Sequence, residues 1–232
     1  MDVVLLISAN AEWGAVRKML PDVEIEQTPY GECFRHDLSL NNQVLNILVM
    51  HGGWGKIAAA ASTQYAIDWW EPELLVNLGT CGGFEGKTKR GEVLLVERTL
   101  VYDIYEQMGD LDSHIDHYAT KLDLSWLGEP YPLQVRRGLL VSGDRDLAPD
   151  EIGDLERKYG AIAGDWESGS IAFVAKRNQV PLLILRAVSD LVSEQGGEAY
   201  GDEAMFEQSA MRIMEHLIGN LPEWLAATRF FR

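Results

Sequence analysis

The feature that most constrains this chain is a set of short, dominantly apolar runs that stop at small or polar residues. Val3 to Ile7 breaks into Ser8-Ala9-Asn10, Leu74 to Leu78 runs into Gly79-Thr80-Cys81-Gly82-Gly83, and Leu182 to Val188, interrupted by Arg186, ends at Ser189-Asp190. Apolar residues at successive rather than alternate positions need burial on both faces of a strand. Between these runs lie segments with helical spacing, Ala11 to Leu20, Lys56 to Trp70 (halted by Pro72) and Glu167 to Asn178. Strands alternating with helices predict an α/β fold, a three-layer α/β/α arrangement around a central sheet covered by helices on both faces. In such sheets ligands sit off the carboxyl ends of the strands, so the three loops named above form the candidate pocket.

The remaining elements fit the same frame. Residues from about Cys33 to Met50 alternate around Asn41-Asn42, the pattern of a hairpin. Further strands are expected at about Glu92 to Val101, Arg136 to Val141 and Ala161 to Ala163, and helices at Pro149 to Tyr159 and Ala204 to Leu217. The acidic stretch Gly109 to His117, with His114 and His117, reads as a mobile loop beside the site rather than a metal box. At 232 residues and 47% hydrophobic, the chain can bury one sizeable core, so residues 1–232 are expected to form a single domain. A net charge of -16 repels polyanions, which sets nucleic acid and anionic membranes aside as partners. Two cysteines without C-x-x-C spacing, an acidic N-terminus unlike a signal peptide, and no apolar stretch of roughly 20 residues point to the cytoplasm.

Taken singly, the reactive residues have ordinary readings. Glu12 sits where an acid complements the start of a helix, and Glu167, in Asp165-Trp166-Glu167-Ser168-Gly169, where a carboxylate caps free N–H groups. Asp190 closes a buried strand, either hydrogen-bonded to neighbouring backbone or held as an acid in a pocket. The glycines around Thr80 and Gly82 serve either a tight chain crossing or close approach of a ligand.

The joint pattern narrows these alternatives. In chain order, A-x-x-E-W, G-G-W-G-K-I-A-A-A, N-L-G-T-C-G-G, V-S-G-D, D-W-E-S-G-S-I-A and R-A-V-S-D resemble the motif series of the nucleoside phosphorylase and nucleosidase superfamily, most closely the 5′-methylthioadenosine/S-adenosylhomocysteine nucleosidases. The resemblance runs from about residue 3 to residue 207. It implies a nucleoside phosphorylase-like fold with a mixed, partly barrel-like sheet, and hydrolysis of a purine N-glycosidic bond without a cofactor. By position, Asp190 matches the acid at purine N7, Ser189 the residue that orients it, and Glu12 the carboxylate that activates water. Glu167 matches the acceptor for the ribose 2′- and 3′-hydroxyls, Thr80 replaces a serine near the water, and Arg186 matches a support for that network. Such a set suits the reaction, because purine departure builds positive charge on the ribose while the leaving base needs a proton. Clustered carboxyl groups supply both protonation states, since like charges in a dry pocket raise one pKa.

The chain departs from the family pattern in two places. Trp166 replaces a methionine beneath the ribose, and Asp146, followed by Leu147, stands where an aromatic usually stacks on the base. Asp146 reads either as an acceptor for an exocyclic amine or as a solvated loop acid. Trp54, Tyr105, Met108 and Phe206 are candidates for the 5′ side, with core packing as the alternative for each. Phosphorolytic relatives place an arginine where this chain has Asn77, and Glu12 would repel phosphate, so water is the expected nucleophile. A phosphorylase and a non-catalytic nucleoside-binding protein are the alternatives. Relatives assemble as dimers or hexamers; a homo-oligomer is expected here, a dimer ahead of a hexamer.

Overall fold

Every residue of β1 (Val3–Ile7) is buried, and the strand shows why its sequence has no polar alternate. Val3, Leu5 and Ile7 pack on one side with Trp13 and Val16, while Val4 and Leu6 pack on the other with Ala59 and Ile171. Burying a leucine or valine from both faces is worth roughly 1.5–3 kcal/mol per side chain. The computed structural model describes residues 1–109 and 111–231.

The described elements in chain order are β1, α1 (Asn10–Met19), β2 (Glu26–Thr28), β3 (Gly31–Leu40), β4 (Gln43–His51), α2 (Gly55–Trp70), β5 (Leu74–Phe84), β6 (Val93–Val101) and α3 (Leu111–His117). There follow β7 (Ala119–Lys121), β8 (Val135–Ser142), α4 (Pro149–Tyr159), β9 (Ala161–Asp165), α5 (Ser168–Asn178), β10 (Leu182–Ser193), β11 (Gly196–Gly197), α6 (Glu203–Gly219) and α7 (Leu221–Ala226). The strands join in one sheet with the path β11-β10-β6-β8-β9-β5-β1-β4-β3-β2. A second pairing of β10 with β5 closes β5, β10, β6, β8 and β9 into a ring, the barrel-like part of the sheet. Within it β10 runs parallel to β5, and β5 runs antiparallel to β9. Helices α1, α6 and α7 cover one face; α2 and α5 cover the other.

The hairpin expected around Asn41-Asn42 is β3–β4, and both asparagines take positive φ, 50° and 65°. That is the two-residue turn whose twist matches paired strands. Three local readings change. Gly79 to Gly83 is not a loop but the second half of β5, and Ser189-Asp190 lies inside β10, which continues to Ser193. Residues 111–117 of the stretch read as a mobile loop form α3, and Asp110 lies outside the described residues. The short strands β2, β7 and β11 and the last helix α7 have too few residues to show a period.

Candidate active site

The glycines of β5 let two chains approach where a side chain would not fit. A Cβ on Gly79 would fall 1.9 Å from Arg186 Nη1 and 2.6 Å from the Ser8 carbonyl oxygen. One on Gly83 would fall 2.6 Å from Val188. Of the two readings for this run, Gly79 and Gly83 show the tight chain crossing, while Gly82 lies on a cavity wall. Gly82 pairs with Gly164 across β5 and β9, and Leu147 rests over both bare backbones, 3.4 Å and 2.8 Å from where Cβ atoms would stand. Leu147 is thereby fixed in the wall of a cavity of about 810 Å³ at the ends of β1, β5 and β10.

Among the carboxyl groups on its wall are the three that the motif series marks, Glu12, Glu167 and Asp190. Glu12, one turn into α1, accepts from the Ala9 N–H (2.8 Å) through one oxygen. Its other oxygen accepts from the Thr80 N–H (3.2 Å) and the Thr80 hydroxyl. A carboxylate has about four acceptor sites, so roughly one remains for a donor in the cavity. Glu167 stands at the N-cap position of α5, but its carboxyl does not cap that helix as expected: Asp165 takes the Ser168 N–H, which leaves Glu167 to accept from the Gly55 N–H at the start of α2 (3.0 Å). Burial, then the neighbouring Asp165 charge, pushes its pKa up, against the pull of Arg186 and the Gly55 bond.

Asp190 reaches the cavity through a bulge. The register slips between Val188, opposite Cys81, and Asp190, opposite Gly82, so Ser189 is the extra residue. Ser189 Oγ lies 2.6 Å from Asp190 Oδ1 and 3.2 Å from the Cys81 carbonyl oxygen. The Ser189 hydroxyl donates to Asp190, with the Cys81 carbonyl oxygen as its second acceptor, and so fixes the carboxyl's orientation. Burial raises the Asp190 pKa despite the Ser189 bond and the Ala199 N–H.

Glu12, Thr80, Gly82, Glu167, Trp166, Ser189, Asp190, Trp54, Leu147 and Phe206 all line this cavity. Arg186 does not. It is fully buried behind the wall, donating from Nε to Ser168 Oγ (3.0 Å), from Nη1 to the Ser8 carbonyl (3.3 Å) and from Nη2 to Asn77 Oδ1 (2.8 Å). Its ion-pair partner is Asp165, at 2.9 Å, so it supports the site through the strand ends rather than by touching Glu12. Asn77 is likewise a buried anchor, donating to the Leu6 carbonyl while it accepts from Arg186. Tyr105 and Met108, candidates for the 5′ side, are exposed and off the cavity wall. Trp54 stacks on Trp166 at the rim, ring centroids 5.5 Å apart. His114 pairs with Glu106, and His117 packs on Tyr118.

Sequence reasoning missed two contributors. Asp165, quoted in its motif but given no role, is held by Ser142 and Ser168 and neutralises Arg186. Tyr200, in the segment between β11 and α6, lines the cavity beside Asp146 and donates its hydroxyl to the Leu147 carbonyl (2.8 Å). A lone tyrosine in a Gly-rich segment carries no pattern that would have singled it out.

Comparison with known proteins gives a consistent picture. Residues 4–219 match the family model of the phosphorylase superfamily. The 5′-methylthioadenosine/S-adenosylhomocysteine nucleosidase of Tolumonas auensis is 26% identical over 233 residues, spanning 92% of this chain and 97% of that protein. The fold is shared with 5′-methylthioadenosine nucleosidase of Arabidopsis thaliana in its apo form (TM-score 0.77, 22% identity, 97% and 94% of the two chains). It is shared also with 5′-methylthioadenosine/S-adenosylhomocysteine nucleosidase from S. pneumoniae with the transition-state inhibitor MT-ImmA (TM-score 0.73, 17% identity, 98% and 99%).

Proposed function

The chain belongs to the phosphorylase superfamily, and on that premise we propose that it is a purine nucleosidase, hydrolysing the N-glycosidic bond of 5′-methylthioadenosine, S-adenosylhomocysteine or a closely related nucleoside. The observation that carries this reading is the convergence of Glu12, Glu167 and Asp190 on one cavity with three different sets of partners. Asp190, whose pKa burial raises, gives its proton to purine N7 as the C1′–N9 bond breaks, so the base leaves neutral. Water held at the open acceptor site of Glu12 attacks C1′ and yields a proton to that carboxylate. The carboxylate charge also stabilises the cationic ribose of the transition state. Glu167 accepts from the ribose hydroxyls, and Leu147, Tyr200 and Trp166 bound the slot for base and sugar. Arg186 keeps Asp165 from adding an uncompensated charge beneath the site.

Water rather than phosphate is favoured by the cavity's charges. Among the described residues the only cation on its wall is Arg145, bound through both oxygens of Glu151 and lying next to Asp146. Arg17, on α1, is paired with Glu32 at 2.8 Å. A phosphate dianion beside Glu12 would meet no uncommitted positive group.

The working unit is a homodimer. Ile57 and Trp69 stand exposed on α2, Trp54 just before its first turn, and Tyr30 and Tyr65 continue the aromatic strip. Exposed apolar area of this kind marks an association surface. Residues 1–232 act as one domain in a reducing compartment, where Cys33 and Cys81 stay as buried free thiols. No described helix is long and apolar enough to cross a membrane.

The test is incubation with a panel of purine nucleosides, with and without phosphate, reading free base and free sugar. Phosphate-independent release of both is expected. Release that requires phosphate and yields a sugar phosphate would replace this reading with a phosphorylase, and binding without release would replace it with a non-catalytic binding protein.

A further inference from the structure

The start of α2 holds three charged residues that the proposed chemistry does not use. Lys56 Nζ is ion-paired with Asp103, two residues past the end of β6, and lies 3.8 Å from Asp144 Oδ2. Asp103 Oδ2 accepts from the Asp144 N–H (2.8 Å), and Asp144 Oδ1 accepts from the Lys56 N–H (2.7 Å). The Lys56 and Asp103 side chains are largely buried, at 15% and 13% exposure, while Asp144 is 39% exposed, so a partly dry ion pair anchors an acid at the surface. The three tie the first turn of α2 to the loops that follow β6 and β8. The adjoining N–H of the same turn, that of Gly55, is the one that donates to Glu167. Space there is tight: a Cβ on Gly55 would fall 2.9 Å from Asp144 Oδ1, and Gly55 takes a φ of 81°. Successive N–H groups of one helix start therefore go to two carboxylates, Gly55 to Glu167 and Lys56 to Asp144.

We infer that Asp144, braced by Lys56 and Asp103, is a positioning residue for Glu167: it sets the pitch of the first turn of α2 so that the Gly55 N–H meets the carboxylate that binds the ribose. Helix starts leave four N–H groups without intrahelical partners, and a turn held by one side-chain acceptor alone frays. With Asp144 in place, the Gly55 N–H has one orientation, and the Glu167 carboxyl has one rotamer in which it accepts that bond and still faces the cavity. The assignment of Glu167 to the ribose belongs to the function proposed above, and the experiment separates the two.

The direct readout needs no turnover. In protein labelled with ¹⁵N-glycine, the Gly55 amide resonance is followed against pH in the wild type, with Glu167→Gln identifying the part of its response due to Glu167. Asp165, Arg186 and Glu12 also act on Glu167 and stay unchanged throughout. Losing the Gly55 bond uncouples that amide from the carboxyl, so Asp144→Ala is expected to abolish the Glu167-linked response of Gly55. Asp144→Asn keeps an acceptor oxygen for the Lys56 N–H and is expected to restore the response. A wild-type response of Gly55 in Asp144→Ala overturns the inference, as does its loss in both variants with the fold intact by circular dichroism. The kinetic arm compares a purine ribonucleoside with its 2′-deoxy counterpart. Asp144→Ala is expected to raise KM for the ribonucleoside about tenfold and leave the deoxynucleoside near its wild-type value. If Gly55 behaves as expected while this ratio stays put, Asp144 positions Glu167 as inferred, and it is the ribose assignment of Glu167 that falls.

Discussion

The floor and the rim of the cavity are built differently. On the floor, Glu12, Glu167 and Asp190 each stand on a helix start or within a strand, each bonded to a named donor and at most 6% exposed. At the rim, Trp54 is 62% exposed and Tyr200 42%, and Asp146 stands in the loop after β8. On the function proposed above, bond cleavage belongs to the regular elements and choice of substrate to the loops. Groups that handle protons must hold position to within fractions of an ångström, whereas groups that select among nucleosides need only exclude or admit bulk. The chain's departures from the family pattern, Trp166 and Asp146, both fall on the selecting side.

That division can be broken by experiment. The largest effect is expected from Asp190→Asn, which keeps shape and removes the transferable proton; base release should drop roughly 10³-fold with the thermal midpoint unchanged. Near-normal turnover would remove the acid from the floor. Arg186→Met comes next. It leaves Asp165 buried without its cation, and chemical denaturation should show a loss of roughly 3–5 kcal/mol in stability, with no active fraction that behaves differently from wild type. A stable variant with selectively altered kinetics would place Arg186 in direct contact with the reaction. At the rim, Tyr200→Phe deletes the bond to the Leu147 carbonyl, and a loss of about 1 kcal/mol predicts KM raised about fivefold with kcat kept. A fall in kcat as large as that of Asp190→Asn would erase the distinction between floor and rim.

The smallest effect concerns pH and stability. The folded protein holds the Glu167 proton more tightly than the unfolded chain, because burial and Asp165 raise its pKa. The stabilisation from that proton is therefore complete below the ordinary carboxylate range and is lost as pH rises toward the raised value. Glu167→Gln has no such proton to lose. Thermal midpoints measured from about pH 5 to about pH 8 should show the wild type losing ground to the variant as pH rises. Parallel curves would mean that Glu167 titrates like an exposed acid.

Much of this architecture was legible in the chain. Buried runs such as Val3–Ile7 announce a two-faced sheet because no residue in them tolerates water, and Asn41-Asn42 announces its turn because few residue pairs take positive φ twice. The motif series marked the floor carboxylates, and the fold brings them to one cavity. What stayed hidden depends on distant pairing. That Gly79 makes room for Arg186, and that Asp165 holds its charge, follows only from the β5–β10 and β8–β9 registers. The glycines read as a loop because small residues signal turns locally, while in the fold they admit another strand. Tyr200 and the Lys56–Asp103–Asp144 knot lie on separate segments with no period to reveal them.

Arg186 draws its partners from the end of β1, the middle of β5, the end of β9 and the first turn of α5. Segments separated by up to 178 positions must all arrive before that guanidinium is satisfied. The guanidinium thus reports whether distant segments have met, and a split version of this chain would work as a reporter: two fragments cut between α4 and β9 would be silent apart, and would gain turnover only on reassembly.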